Sequence, residues 1–316
     1  MTEKYIRLAN LLRDLIASNT KSGIHKLPSE AQLSKQYGVS RETVRRALAL
    51  LIEEGLIETR KGSGSYATGL AGDSKLNRIA IMLPCENEYI YPSVINDIQT
   101  TLNQRGYSSV IYQTENNVST ERELLKELIR NPVRGLIVEG CKSALPNPNL
   151  DLYERLRHAG TSIVFLHNYY AALSDCIHIT DDNYYGGYLL GKHLIEQNHT
   201  KIAGLFKSDD MQGPERYNGL VSAIRDSGLP IPDKHIAWFS TEELKDLEKK
   251  QDTGFLLEFI RKQLKSCTAV ICYNDEIAYW LIKELQYANL RVPEDIAVAC
   301  FDNSYLSELS AVRITS

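Results

Sequence analysis

Leu27-Pro28-Ser29-Glu30-Ala31-Gln32-Leu33, followed by Gly38-Val39-Ser40-Arg41-Glu42-Thr43-Val44-Arg45-Arg46-Ala47-Leu48, decides how the front of this 316-residue chain folds. Ser29 with Gln32 three residues on is a capping-box pattern, in which the serine oxygen accepts a free backbone N–H and the glutamine reaches back to the serine's own. Pro28 discourages any earlier helix. Gly38 suits the end of the first helix, and Ser40 predicts the N-cap of the next. Val44, Ala47, Leu48 and Leu51 recur at helical spacing and predict a buried stripe. Arg41 and Arg45 fall one turn apart on the opposite face. A solvated surface would also carry two arginines, but guanidinium groups near the start of such a helix can give bidentate hydrogen bonds to guanine O6 and N7.

The flanking segments favour the second reading. Upstream, Tyr5, Leu8, Ala9, Leu12, Leu15 and Ile16 write one more amphipathic helix. Downstream, Leu56 to Thr68 reads as strand, Lys61-Gly62-Ser63-Gly64 turn, strand. Three helices and a basic hairpin predict an N-terminal winged helix-turn-helix of the α+β class. Glycine at the hairpin tip lets the backbone come close to phosphate or to the minor groove, and lysine supplies charge. A plain surface hairpin is the alternative.

Charge is divided along the chain. Residues 1–70 hold eleven Lys or Arg against seven Asp or Glu, a net of +4, and the whole chain has a net of −4, so the remainder carries −8. A basic head on an acidic body directs phosphate contacts to one end. No twenty-residue apolar run and no leader pattern appears, because the first apolar helix is interrupted by Arg7, Asn10, Arg13 and Asp14; the expected location is the cytoplasm, with no membrane partner. Cys85, Cys141, Cys176, Cys267, Cys272 and Cys300 lack CxxC or Cys/His metal spacing and read as buried free thiols rather than disulfides or ligands.

From Asn77 the pattern alternates strand and helix. Strands are predicted at 78–83, 108–113, 135–139, 162–166, 201–206, 269–273 and 296–301, with helices at 92–105, 120–131, 150–158, 184–198, 214–227 and 276–288. Short apolar runs between amphipathic helices predict parallel sheets covered on both faces. The expected organisation is a head at 1–69, a linker at 70–76 and a two-lobed α/β body at 77–316. Lobe 1 takes about 77–181 plus 303–316, and lobe 2 about 182–302.

Ligands of open α/β sheets bind beyond the carboxyl ends of the strands. Polar candidates there are Glu86, Tyr89, Tyr91, Glu139, Lys142, His167, Lys207, Asp209, Asp210 and Gln212, and later Asn274, Asp275, Asp302 and Asn303. Carboxylates, amides and tyrosines fit a polyhydroxylated ligand, whose hydroxyls donate and accept while its C–H face stacks on a ring. Asp209, Asn274 and Asp302 could equally cap helices or turns.

The first seventy residues resemble the DNA-binding module of the GntR family, through LPSE, GVSRETVRRAL and LIEEGLIETRKGSGSY. That resemblance implies operator contacts by Ser40, Arg41, Thr43, Arg45, Lys61 and Gly62, with Ser29 and Arg46 beside them; the sequence departs at Ala31, where several members carry a DNA-contacting arginine. The body resembles the sensor domain of arabinose repressors, which join a GntR head to a LacI-type, periplasmic-binding-protein-like domain. The segments that carry this are 81–101, Gly135 to Glu139 with Lys142 to Leu145, Phe206 to Gly213 with Arg216, and Cys272 to Ala278. The LacI pattern implies effector contacts by the residue after the fourth strand, here His167 where an aspartate is usual, by Arg216, by Asn274 with Asp275, and by Asp302. The full effector set expected is Tyr89, Tyr91, Glu139, Lys142, His167, Asp209, Gln212, Arg216, Asn274, Asp275 and Asp302.

These features predict a repressor that binds pseudo-palindromic operator DNA as a homodimer and is released by a monosaccharide, L-arabinose. Another sugar or a sugar phosphate is the alternative effector. A fused enzyme is the remote alternative, since no P-loop, GxSxG or HExxH is present, and no catalytic residue, cofactor or metal is expected. A helix of the first lobe such as 92–105 is the expected dimer surface, and an amphipathic helix with a solvated outer face is an equally simple account of its pattern. Val312 to Ser316 reads as the opening of a strand crossing between lobes, with the chain stopping short of the family's usual end and apolar surface uncovered near Phe301 and Ile314.

Overall fold

The computed structural model describes residues 4–21, 26–53, 56–60, 63–67, 77–87, 89–230 and 233–316. The linker at 70–76 and the hairpin-tip residues Lys61 and Gly62 lie outside them.

Three helices open the chain, α1 (Lys4–Lys21), α2 (Glu30–Tyr37) and α3 (Arg41–Glu53), followed by the antiparallel pair β1 (Ile57–Arg60) and β2 (Gly64–Ala67). The capping box forms as predicted, with Ser29 and Gln32 bonding reciprocally, and Gly38 ends α2 at φ 64° in the left-handed region. Ser40 Oγ accepts the Thr43 N–H at 3.2 Å, which starts α3. Leu8, Leu12, Ile16, Leu33, Val44, Ala47 and Leu51 close one core across the helices, and Leu56, Ile57 and Ala67 pin the hairpin to it.

Lobe 1 is a five-stranded parallel sheet in the order β4-β3-β5-β6-β7. Its strands are β3 (Arg78–Leu83), β4 (Ser108–Gln113), β5 (Gly135–Val138), β6 (Ser162–Leu166) and β7 (Ile177–Ile179), and its helices are α4 (Tyr91–Gln104), α5 (Val118–Arg130) and α6 (Leu150–His158). Lobe 2 begins with α7 (Asn183–Glu196). It then adds β8 (Ile202–Lys207), α8 (Gln212–Asp226), β9 (Ile236–Phe239), α9 (Thr241–Lys250), α10 (Gly254–Lys262), β10 (Ala269–Cys272), α11 (Asp275–Tyr287), β11 (Ala297–Ala299) and α12 (Tyr305–Leu309). Its parallel sheet has the order β11-β10-β8-β9. In each sheet the order in which strands are added reverses beside the first strand, between β3 and β5 and between β8 and β10. Such switch points leave a crevice at the strands' carboxyl ends.

Two departures from the sequence reading concern lobe 2. The final residues belong with this lobe rather than with lobe 1: Thr315 pairs in parallel with Ala299, and Val312 and Ile314 pack on the core of Leu205, Ile277 and Val298. Ile314 and Phe301 are therefore half-buried, and the strongly exposed isoleucines sit instead on the edge strand β7, at Ile177 and Ile179. Second, β9, α9, α10 and α12 were not expected, and α9 contributes a wall to the crevice through Thr241, Leu244 and Lys245.

Helices α7 and α8 meet backbone to backbone. A Cβ at Gly187 would fall 2.2 Å from the Arg216 carbonyl, and one at Gly219 would fall 2.0 Å from that of Tyr184. Glycine is required at both because any side chain would drive the helices apart.

The head rests on lobe 1 through α1. Arg134 reaches Asp14 at 2.5 Å and the Asn10 carbonyl at 3.2 Å, Tyr107 donates to Asp14 at 3.1 Å, and Asn10 donates to the Gly160 carbonyl at 3.3 Å. The face of α4 turned outward bears exposed Ser93, Asn96 and Asp97. All six cysteines are free thiols, and five are buried. No helix among the described residues is long and apolar enough to cross a membrane.

Candidate functional site

A cavity of about 520 Å³ lies between the lobes, within the usual range for small-ligand sites. Tyr89, Tyr91, Glu139, His167, Gln212, Arg216, Asn274 and Asp302 all line it. Its backbone is unusually strained: Tyr89, Glu115, Asn116, His167 and Asp302 line the cavity at positive φ, between 49° and 87°. Non-glycine residues take such conformations only where surrounding contacts hold them, a state concentrated at ligand clamps.

Arg216 is the fulcrum. It sits near the start of α8 and is 5% exposed. Its Nε donates to Asn183 Oδ1 at 2.8 Å, Nη1 donates to the Tyr273 carbonyl, and Nη2 to Asp302 Oδ1 at 3.3 Å. The guanidinium also lies over the rings of Phe301, 4.2 Å from the centroid, and Tyr273, 4.9 Å. A charge this buried needs such partners, because desolvation without them is prohibitive. Asp302 in turn accepts from Tyr89 Oη at 2.6 Å, and the same hydroxyl lies 2.6 Å from Asp275 Oδ1. Burial and then the two carboxylates push the Tyr89 phenol far up, keeping it protonated as a donor.

Across the cavity, Glu139 follows β5 and His167 follows β6. Glu139 Oε1 accepts from Tyr91 Oη at 3.1 Å, and Oε2 meets His167 Nδ1 at 2.8 Å. Burial works against a charged imidazole, but the adjacent carboxylate outweighs it and holds the His167 pKa above its ordinary value. Gln212, 6% exposed, has an Oε1 that meets no hydrogen-bond donor among the described residues. Buried acceptors are seldom left unmade, and this one lines the cavity. Lys207 Nζ donates to Asp210 at 2.5 Å; burial lowers its charge preference, and Asp210 with Asp209 restores it, so its pKa is raised. Asn274 caps α11 by accepting the Ile277 N–H at 3.1 Å, leaving its NH2 as the end able to serve a ligand.

Three of the expected effector residues stand elsewhere. Lys142 and Asp209 do not line the cavity: Lys142 bonds Glu242 at 3.1 Å, and Asp209 Oδ2 accepts the Thr241 N–H at 3.0 Å. Asp275 is fully buried beneath the floor, where it lies 2.6 Å from the Tyr89 hydroxyl and accepts the Ser304 N–H. Lining residues that strand-end reasoning missed include Asn116, Asp181, Thr241 and Trp280. Thr241 was findable, because Ser240 and Glu243 form a capping box at the start of α9. Among the described residues, no group of three or more His, Cys, Asp or Glu is placed to hold a metal ion.

On the head, Arg41, Arg45 and Arg46 are exposed along α3. Arg45 Nε pairs with Glu30 at 3.0 Å, and Arg46 with Glu42 at 3.3 Å. Ser29 and Ser40 use their hydroxyls as helix caps, and Ser40 Oγ lies 2.9 Å from Thr43 Oγ1. Arg60 lies over the Tyr66 ring, 4.5 Å from its centroid, at the base of the hairpin.

A winged helix-turn-helix on a two-lobed, ligand-binding α/β body defines a ligand-responsive transcription regulator. Residues 4–66 match the family model of bacterial regulatory proteins of the gntR family, and residues 192–316 match that of the periplasmic binding protein-like domain. The chain is 34% identical to the arabinose metabolism transcriptional repressor of Halalkalibacterium halodurans, over 97% of this chain and 83% of the relative. To the protein of the same name from Geobacillus stearothermophilus it is 33% identical, over 99% and 85%. The chain belongs to this family of transcriptional repressors of sugar metabolism. The fold is shared with the transcriptional regulator CelR in its cellobiose complex, with a TM-score of 0.64 and 19% identity over 91% of this chain and 86% of that one.

Proposed function

We propose that the chain represses transcription in the cytoplasm by gripping pseudo-palindromic operator DNA as a homodimer, and that L-arabinose seated between the lobes releases it. The observation that carries the reading is the ring of partnered and unpartnered polar groups in the cavity: Arg216 with Asp302, Glu139 with His167, and the unpartnered Gln212 oxygen. Each presents an oxygen or N–H to a small polyol. Tyr89, Tyr91 and Tyr273 offer rings for its C–H face. The relatives' role in arabinose metabolism supports that pentose.

A sugar phosphate fits less well. Among the described lining residues eight are Asp or Glu against four Lys or Arg and His167, and the two innermost cations, Lys207 and Arg216, already hold Asp210 and Asp302. A phosphate would have to displace those carboxylates. In the DNA complex, Arg41, Thr43, Arg45 and Arg46 of α3 face the major groove, with Ser29, Ser40, Lys61 and Gly62 toward the backbone. Sugar binding draws the lobes together and alters the spacing of the two heads, and by linkage operator DNA weakens sugar binding by the same factor.

The test is fluorescence anisotropy on DNA from the chain's own upstream region at fixed salt, because phosphate contacts make affinity salt-dependent. L-arabinose should release the DNA while related pentoses, disaccharides and sugar phosphates do not. Specific DNA binding with no response to arabinose would overturn the effector assignment, and loss of specific binding altogether would overturn the function.

A further inference from the structure

On one side of the cavity a side chain of lobe 1, Asn116, reaches across to lobe 2. Asn116 lies in the turn after β4, where Thr114 and Glu115 donate their backbone N–H groups to Leu83 and Pro84, each at 2.9 Å. Glu115 and Asn116 both take left-handed conformations, at φ 51° and 49°. That geometry drives the Asn116 amide, 6% exposed, across the cleft into lobe 2. Its Nδ2 donates to Thr241 Oγ1 at 2.8 Å and lies 3.2 and 3.4 Å from the two oxygens of Asp210. Its Oδ1 accepts the Lys142 N–H at 2.8 Å.

Both hydrogens of the amide are thereby used, so Asn116 has none left to donate to a ligand. What it does is hold two cavity-lining groups of the opposite lobe. Asp210 also receives Lys207, and the Thr241 N–H binds Asp209. Around this bridge, Lys142 reaches Glu242, the Ala144 N–H reaches the Asp209 carbonyl at 3.1 Å, and the Met211 N–H reaches Ser143 Oγ at 3.0 Å. Each of these contacts must break for the lobes to part.

We infer that Asn116 is a positioning residue: it latches lobe 1 onto Asp210 and Thr241, favours the closed lobes, and lengthens the effector's stay without contacting the effector. The inference rests on the cavity being the effector site. A protein whose binding-competent state is less populated binds more weakly in proportion, and here the loss falls on the dissociation rate.

Asn116→Asp is the sharpest test, because it keeps the shape and places a carboxylate against Asp210. Like charges at this distance repel and push the lobes apart. For the sugar-free protein at pH 7.5, small-angle scattering should give a larger radius of gyration for N116D than for the parent. Stopped-flow dissociation of L-arabinose should be at least tenfold faster in N116D and in Thr241→Val, with operator affinity in the absence of sugar no weaker than the parent's. Equal radii for parent and N116D at pH 7.5, or an unchanged dissociation rate in both variants, would overturn the latch. If arabinose binds neither protein while the radii differ as expected, the latch stands and the effector assignment fails.

Discussion

Glu139 and His167 stand at the carboxyl ends of neighbouring strands, and their side chains meet at 2.8 Å, carboxylate Oε2 against imidazole Nδ1. His167 holds this position at φ 63°, with its backbone N–H bonded to the Ile179 carbonyl at 2.8 Å. The pair therefore forms one wall of the cavity.

A histidine whose pKa is raised by folding contributes stability that is complete below its unfolded value, about 6.5, and is lost as the pH rises through the folded value. His167 is shifted in that direction by Glu139, against the effect of burial. The difference in melting temperature between the parent and His167→Gln should be largest below pH 6.5 and shrink toward alkaline pH. A difference independent of pH would show that the ring stays neutral.

Arg45 is exposed on the recognition helix, paired only with the surface carboxylate of Glu30 among its described ion pairs. Arg45→Ala should weaken specific operator binding by about 1–3 kcal/mol and relax base preference. Competition anisotropy against a random duplex checks this. Equal weakening on both DNAs would mean that Arg45 serves a phosphate.

Gly187 of α7 lies directly against the Arg216 backbone of α8, where a Cβ would fall 2.2 Å from the carbonyl oxygen. Gly187→Ala should destabilise the protein by about 1–3 kcal/mol, the usual cost of overpacking. Because the same shift moves Arg216, sugar affinity should fall with it. Denaturant unfolding and calorimetric titration measure the two effects, and a variant with unchanged stability would show that the helices adjust freely.

Arg134 fastens the head to lobe 1 through Asp14 and the Asn10 carbonyl, with Tyr107 beside it. Arg134→Ala should raise amide exchange in α1 while leaving the exchange of β3 and β5 as it is. The double charge swap of Asp14→Arg with Arg134→Asp should restore part of the protection. Identical exchange in parent and variant would mean that the head is not held by this contact.

Much of the architecture was readable before any tertiary contact was known. The strands at 78–83, 108–113 and 162–166 and the helix at 150–158 match their predicted bounds residue for residue, because buried parallel strands are short apolar runs and helices bury one periodic face. The edge strand β7 escaped notice because all three of its residues are exposed, so it bears no burial pattern. Helix α9 escaped because Thr241-Glu-Glu-Leu-Lys-Asp-Leu-Glu-Lys-Lys250 is almost wholly polar, and its one local signal is the Ser240–Glu243 capping box.

By itself the amino-acid order determined what short-range forces decide: the capped turn from Ser29 to Ser40, the winged head, the alternation of strand and helix, and the strand ends that supply polar groups. Only the tertiary structure decided which of those groups meet the cavity. Asp209 and Asp210 are adjacent in the chain, yet Asp210 faces the cavity while Asp209 turns to the start of α9. Lys142 and Lys207 are divided the same way, toward Glu242 outside and Asp210 within. Neighbouring side chains in a turn point in different directions, and which direction is useful depends on partners such as Asn116, 94 positions from Asp210. No local pattern encodes that separation. It is set when two independently built sheets come together and buried polar groups take the partners that remain within reach.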